Sequence, residues 1–120
     1  WDRANRQDRR TAEKFALAER AHELAEDRRR ELAAELDSTW ADWDAAQARL
    51  QEHEHRLIPA ARARYATRQA AYSAGGTPLG MVWEARRSVL EVELEHQVIL
   101  VERSRAAIRL GYLTDPQENK

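Results

Sequence analysis

A cluster of glycine and proline beyond the middle of this 120-residue chain constrains its fold more than any other feature. Gly75, Gly76, Pro78 and Gly80 follow one another closely, between two long segments that contain few helix-breaking residues. Glycine adopts positive φ at little cost, and proline lacks the N–H that a helix interior requires, so this segment cannot continue a helix. The cluster therefore predicts a sharp tip, at about residues 75–78, between two helices.

The composition indicates that these helices are long and paired. Alanine, glutamate, leucine and arginine dominate, 34% of the residues are charged and only four are glycine, which is typical of long helices and coiled coils. We therefore predict an all-α fold, a long antiparallel helical hairpin of coiled-coil type. The net charge of −1, with both signs interleaved, argues against nucleic acid as a partner. The sequence contains no cysteine and no apolar run of the roughly 18–20 residues that span a membrane.

The first helix is predicted from about residue 4 to about residue 74. Its apolar residues follow the alternating four- and three-residue steps of a left-handed coiled-coil seam, interrupted by Gln47 and Glu54. The predicted seam residues are Leu36, Trp40, Trp43, Leu50, Leu57 and Ala61. Pro59 removes one backbone hydrogen bond, which predicts a local kink near His55 within one continuous helix. A true break at Pro59 is the alternative.

The second helix is predicted from about residue 79 to about residue 110. Thr77 can cap its start, Pro78 or Leu79 can be its first residue, and Gly111 can end it. A polar tail is expected over residues 114–120. The apolar residues of this helix cover more than one narrow stripe, which predicts packing on two sides. They form two sets, Val82, Val89, Val92 and Ile99, and Leu90, Leu94, Val98, Val101 and Ile108.

The two predicted helices differ in length. Folding the chain about the tip leaves residues from about 5 to 40 without a partner in the chain. These residues nevertheless carry Phe15, Leu17, Leu24 and Leu32, and each large apolar side chain left in water forgoes roughly 1.5–3 kcal/mol. We therefore expect a fragment, or a protomer whose missing partners come from elsewhere.

Four segments of the sequence resemble one protein family. Residues 1–6 are similar to the stretch in which TolC-like outer-membrane efflux proteins leave their last β-strand and enter a long periplasmic helix. Residues 57–61 resemble the family's proline segment before the tip, and residues 110–113 resemble its closing segment. The residues that resemble the tip signature are Tyr72, Gly75, Leu79, Val82, Ala85 and Arg86. The chain is therefore similar to the periplasmic hairpin of the C-terminal repeat, especially in the heavy-metal-cation efflux branch.

The resemblance implies a trimeric duct. In that family, three protomers build an outer-membrane β-barrel and a periplasmic tunnel of twelve helices, which passes substrates expelled by an inner-membrane pump. This chain would be a piece of the tunnel wall, in the periplasmic portion of a bacterial outer-membrane protein. Contact with the membrane would come only from segments outside this sequence.

The resemblance also assigns roles to the tip. Gly75 matches the tip glycine, where the backbone turns and approaches a periplasmic adaptor protein. Gly76, Thr77, Pro78 and Leu79 match the exposed loop that the adaptor would cover. The tip would thus dock the adaptor and close the tunnel at rest.

Met81 and Glu84 are the candidates for the constriction. Glu84 matches an acidic position that helps to ring the tunnel with carboxylates in some members, whereas Met81 replaces the preceding acid. An apolar constriction is therefore the alternative to an electrostatic gate. The alternative interpretation of Glu84 is a solvent-exposed residue without a gating role, because the helix macrodipole favours an acid in the first turns of a helix.

No enzymatic activity and no cofactor are expected, because no nucleophile with a histidine partner, phosphate-binding glycine loop or metal-ligand cluster stands out. His53 and His55 point about 200° apart on a helix and cannot chelate one ion, so structural or surface roles are expected for the histidines. The alternative function is a soluble coiled-coil interaction hairpin, such as that of a periplasmic adaptor, although the tip lacks the arginine typical of adaptor hairpins. A structural spacer is the third possibility.

Overall fold

The computed structural model of this protein describes residues 1–115, which are helical except at Trp1, the tip and Asp115. The elements are helix α1 (Asp2–Glu52), a π-helical turn (His53–Leu57), helix α2 (Ile58–Ser73) and helix α3 (Leu79–Thr114). The predicted all-α hairpin is therefore confirmed. Helix α3 continues through Gly111 to Thr114, beyond its predicted end near residue 110. The rest of the predicted tail, from residue 116, lies outside the described residues.

The chain divides into two units, Trp1–Asp37 and Ser38–Lys120. The first unit is the N-terminal part of α1, and its large apolar side chains are exposed, as the length mismatch predicts. They include Phe15, Leu17 and Leu24. Its charged side chains bond along the same helix, as Arg29 does with Glu26 at 3.0 Å.

The second unit is the hairpin, in which the first arm (residues 38–73) packs against α3. Its core centres on Ala46, Leu50 and Ile99, with Leu100 packed against them. Leu50 is 1% exposed and Ile99 is fully buried. Burial of each of these two side chains stabilises the hairpin by roughly 1.5–3 kcal/mol.

The buried and half-buried side chains of α3 form a regular coiled-coil seam. They recur at alternating three- and four-residue steps, the spacing of a heptad repeat. They include Val82, Ala85, Val89, Val92, His96, Ile99, Arg103, Ala106, Leu110 and Leu113. The set Val82, Val89, Val92 and Ile99, singled out from the sequence, belongs to this seam.

The seam of the first arm shares Trp43, Leu50, Leu57 and Ala61 with the predicted one but differs at the other positions. Its inward residues are Thr39, Trp43, Ala46, Leu50, His53, Leu57, Ala61 and Tyr65. Trp40, predicted on the seam, is about half exposed and meets Trp43 edge to face at 6.0 Å between ring centroids. The prediction followed the largest apolar side chains, whereas the structure places the small Thr39 and Ala46 on the seam.

The π-helical turn lies where Pro59 disturbs the first arm. Pro59 has no N–H to bond the carbonyl of His55, and in a regular α-helix its ring would press on that carbonyl. The chain instead forms a wider bond, from the Ile58 N–H to the His53 carbonyl. The helix continues on both sides of this turn, so the prediction of a local disturbance without a chain reversal is confirmed.

The π-helical turn also keeps the seam in phase. A heptad repeat would place the inward positions after Leu57 at residues 60 and 64, yet the inward residues are Ala61 and Tyr65. A π bulge inserts one extra residue into a helix, which is the shift required. The turn therefore lets both halves of the first arm face α3.

Candidate functional site

The tip closes with a Schellman motif at the end of α2. The Gly75 N–H donates to the Tyr72 carbonyl and the Gly76 N–H donates to the Ala71 carbonyl, both at 2.9 Å. Gly75 has a φ of 77°, the left-handed conformation that this motif requires at the residue after the cap. A Cβ built at Gly75 would meet nothing within 4 Å, so the backbone conformation alone favours glycine there.

Helix α3 starts at the predicted position, but its cap differs from the prediction. The helix begins at Leu79, and Pro78 occupies the N-cap position in an extended conformation, with φ −64° and ψ 147°. The Pro78 carbonyl accepts the first hydrogen bond of the helix, from the Met81 N–H at 3.1 Å. No side-chain hydrogen bond caps this end, so the predicted cap by Thr77 is wrong. Thr77 precedes the N-cap residue and stands one position too early.

The predicted docking residues lie together at the end of the hairpin. Gly75, Gly76, Pro78 and Leu79 are exposed, and Thr77 is half-buried. The tip thus offers a small surface made mostly of backbone and of the Leu79 side chain. Its contact with an adaptor stays a prediction.

Met81 and Glu84 lie on α3 close to the tip, and both are exposed. Nη1 of Arg68 lies 3.9 Å from Sδ of Met81, which joins the two arms. Glu84 lines a shallow groove together with Trp83, Arg86, Arg87 and Leu90. A constriction would require several chains, so the gating role of both residues stays a prediction.

The second apolar set of α3 forms an exposed strip, here called the outward stripe. It consists of Leu90, Leu94, Val98, Val101 and Ile108. At about 100° per residue, these positions lie roughly opposite the seam. Leu94 is 66% exposed and Ile108 is 74% exposed. The prediction of two apolar sides on this helix is therefore confirmed, and only one of them is covered within the hairpin.

Polar side chains bridge the two arms along the edges of the seam. Nη1 of Arg103 donates to Oε1 of Gln47 at 2.8 Å, and Arg49 pairs with Glu102 at 3.2 Å. Folding the sequence about the tip pairs residue i with roughly residue 155 − i, so the predicted register places Gln47 near Ile108. The arms are therefore paired about five residues away from the predicted register. Near the tip, the Arg86 guanidinium lies over the Tyr65 ring, 5.7 Å from its centroid.

Two histidine–glutamate pairs connect the arms at the π-helical turn, and we call them the His–Glu clasp. Nε2 of His53 lies 3.2 Å from Oε2 of Glu95, and Nε2 of His96 lies 2.9 Å from Oε1 of Glu54. The hydrogen bond from His96 lowers the pKa of the Glu54 carboxyl, and the nearby charges of His96, His55 and Arg103 act in the same direction.

The clasp was missed in the sequence because the predicted register was wrong. Each arm contributes one His and one Glu in succession, in opposite orders. Because the arms run antiparallel, the opposite orders let each His face the Glu of the other arm. Recognising this from the sequence requires the correct register. His53 is buried on the seam and His96 is half-buried, which agrees with the structural role expected for histidines here.

Comparisons with protein-family models, curated proteins and solved structures give no match to this chain. Within residues 1–115, no helix is long and apolar enough to cross a membrane. The same residues contain no group of three or more His, Asp or Glu side chains arranged to hold a metal ion.

Proposed function

We propose that this hairpin is a wall element of the periplasmic tunnel of a trimeric outer-membrane efflux duct, and that its tip docks a periplasmic adaptor. The outward stripe carries this proposal. A helix that is apolar on two opposite sides packs against neighbours on both sides. In a closed tunnel wall, every helix has a neighbour on each side, whereas an isolated two-helix hairpin leaves one side bare.

Covering the outward stripe would contribute a large free energy for a chain of this size. The five side chains of the outward stripe are half or more exposed, and burial of the part of each that is still exposed would contribute roughly 1–2 kcal/mol. A whole domain is stable by only about 5–15 kcal/mol. Packing of a further helix on the outward stripe would therefore add stability comparable to that of a small domain.

The first unit supports the same proposal. Phe15, Leu17 and Leu24 are exposed on a helix that has no cover within its own unit. In the resembled tunnel, this part of the long helix packs against another short helix. Partner helices from the rest of a longer protein would bury these side chains.

The tip geometry fits the docking role. The Schellman motif ends α2 sharply, and the exposed backbone at Gly75 and Gly76 lets a partner approach closely. Leu79, about half exposed, adds an apolar side chain. The tip contains no arginine between residues 72 and 81, which favours the duct over the adaptor hairpin.

Membrane fractionation of cells that express the tagged protein from its complete native gene separates the candidates. The duct places the protein in the outer-membrane fraction as a trimer, detected by chemical crosslinking. Recovery in the inner-membrane or soluble fraction contradicts the duct and favours an adaptor hairpin. A monomer in the outer membrane also contradicts the proposed tunnel.

Docking at the tip is tested in the same cells by a photo-crosslinking amino acid at Thr77. The expected product is an adduct between this protein and an adaptor encoded beside an inner-membrane pump, identified by mass spectrometry. The matched control carries the crosslinker at Asp44, an exposed residue of the first arm far from the tip in sequence. An equal adaptor yield at Thr77 and Asp44, or none at Thr77, contradicts docking by the tip.

A further inference from the structure

The His–Glu clasp contains one histidine whose ring faces two acceptors. Nδ1 of His53 lies 2.9 Å from the carbonyl oxygen of Arg49, and Nε2 lies 3.2 Å from Oε2 of Glu95. A backbone carbonyl can only accept, and an ionised carboxylate can only accept. Both ring nitrogens therefore need a proton for both hydrogen bonds to form.

A neutral His53 ring satisfies only one of these acceptors. With the proton on Nδ1, the bond to the Arg49 carbonyl remains, and the bare Nε2 lone pair faces the Glu95 carboxylate. The side chain of Glu95 is 67% exposed, so it can rotate into water. The bond from Nδ1 stays within the first arm, whereas the bond from Nε2 joins the two arms.

His96 differs from His53 in this respect. Its bond to Glu54 needs a proton only on Nε2, which the neutral Nε2–H tautomer also supplies. The two halves of the clasp therefore respond differently to the loss of a proton.

The other charges near the clasp are largely engaged with one another. Arg49 pairs with Glu102, Glu52 pairs with Arg56, and Arg103 donates to Gln47. The titratable and charged groups around His53 are Arg49, Glu52, Glu54, His55 and Arg56 on the first arm and Glu95, His96, Glu102 and Arg103 on α3. Among these, only the histidines have ordinary titration ranges between pH 5 and 8.

We propose that His53 is a proton-dependent latch between the two arms of the hairpin. With both ring nitrogens protonated, it bridges the Arg49 carbonyl and the Glu95 carboxylate; when it loses one proton, it releases Glu95. The latch is located at the π-helical turn, because the His53 carbonyl accepts the wide bond from Ile58. This inference concerns the hairpin alone and does not depend on the proposed duct.

The direction of the pH effect follows from the bound proton. The protonated ring adds a bond in the folded hairpin, so its contribution is present at low pH and disappears as the pH rises and the ring becomes neutral. A hydrogen bond between charged partners is stronger than one between neutral groups, so its loss is measurable in thermal unfolding. For a chain of this size, the loss of one such bond shifts Tm by about 4 °C.

The test is thermal unfolding of the whole chain, followed by circular dichroism at pH 6.0 and pH 8.5. The Tm of the wild type is expected to be higher at pH 6.0 by about 4 °C. His53→Gln and Glu95→Gln should each abolish most of this difference. His55→Gln is the matched control, because His55 is exposed and its ring bonds to the Gln51 carbonyl on its own helix. This variant should keep the difference, as should His96→Gln.

A wild-type Tm that is equal at the two pH values, or a His53→Gln variant with the wild-type difference, would overturn the latch. A second measurement avoids substitution of a buried residue. In ¹⁵N NMR of the native chain at pH 6.0, both ring nitrogens of His53 should carry a proton. A neutral His53 ring under these conditions would also overturn it.

Discussion

Arg62 donates two hydrogen bonds to one carboxylate oxygen of Glu93 across the hairpin, from Nε at 3.2 Å and from Nη2 at 2.6 Å. The pair bridges the two arms between the π-helical turn and the tip. The Arg62 side chain is well exposed and the Glu93 side chain is about one-third exposed, so water and salt screen the attraction. Its contribution to stability is therefore small, although its geometry is specific.

Arg62→Gln is expected to lower the free energy of unfolding by about 0.2–1 kcal/mol, and the loss should shrink in high salt. The measurement is urea unfolding at low and high NaCl. Arg64→Gln is the matched control, since it removes an exposed arginine two residues away, and it should change stability less. Equal effects of the two variants at low salt would show that the Arg62–Glu93 pair adds nothing.

Gly75→Ala and Gly80→Ala make the same chemical change with opposite expected results. Gly75 has positive φ, so alanine there should destabilise the hairpin by about 1–2 kcal/mol. Gly80 lies in α3 and an added Cβ meets nothing within 4 Å, so alanine there should stabilise by about 0.5–1 kcal/mol. Urea unfolding measures both. Effects of the same sign would contradict the described tip.

Deleting Pro59 should be tolerated far better than deleting Ala45. Without Pro59, the inward residues Leu57, Ala61 and Tyr65 acquire regular heptad spacing, so the π-helical turn is no longer needed. Deletion of the exposed Ala45 instead rotates the helix before it by about 100° relative to α3 and takes Trp43 off the seam.

The comparison uses the urea midpoints of the two deletion variants and the wild type. The variant without Pro59 should unfold near the wild-type midpoint, and the variant without Ala45 should unfold at a much lower urea concentration. Comparable losses in both variants would mean that the extra residue at the π-helical turn does not set the phase of the seam.

Ile99→Ala should destabilise the isolated chain by about 2–5 kcal/mol, because it empties part of the core around Leu50. Leu94→Ala is the matched control on the outward stripe, and it should change stability by less than about 0.5 kcal/mol. Urea unfolding of the isolated chain measures the contrast. If Leu94→Ala is as harmful as Ile99→Ala, the outward stripe is already covered in the isolated chain.

The lowered pKa of Glu54 predicts a second pH effect, at acid pH. A carboxyl whose pKa is lower in the folded than in the unfolded chain stabilises the fold above its ordinary pKa of 4.5, and this contribution is lost as the pH falls through the folded pKa. Glu54→Gln should therefore reduce the fall in Tm between pH 5.5 and pH 3. Glu91→Gln, which removes an exposed carboxylate on α3, is the control and should leave that fall unchanged.

The hairpin itself could be predicted from the sequence because its determinants are local. The cluster around Gly75 sets the tip, and Pro59 sets the disturbance in the first arm. The two apolar sets of α3 follow from periodicity alone, and both lie where the pattern indicates. These features depend on residue type and on residue spacing, and both can be read directly from the sequence.

The register could not be predicted in the same way, because it depends on contacts between distant residues. The choice of Trp40 for the seam favoured hydrophobic size, whereas the arms fit together with Thr39 and Ala46 inside and Trp40 at the edge. An error of a few residues hid the His–Glu clasp, since the predicted register places His53 near Glu102, whereas the structure pairs it with Glu95. Helix periodicity determines which residues share a face but not which residue of the other arm lies opposite.

In the proposed tunnel wall, another helix covers the outward stripe of the complete protein. The chain contains no cysteine, so the labelling of Leu94→Cys by a water-soluble maleimide reports this position alone. The thiol should react quickly in the isolated chain, slowly in the complete protein in the cell envelope, and fully in both after unfolding in urea. A thiol that reacts as quickly in the envelope as in the isolated chain would show that the outward stripe is bare, and would contradict the tunnel wall.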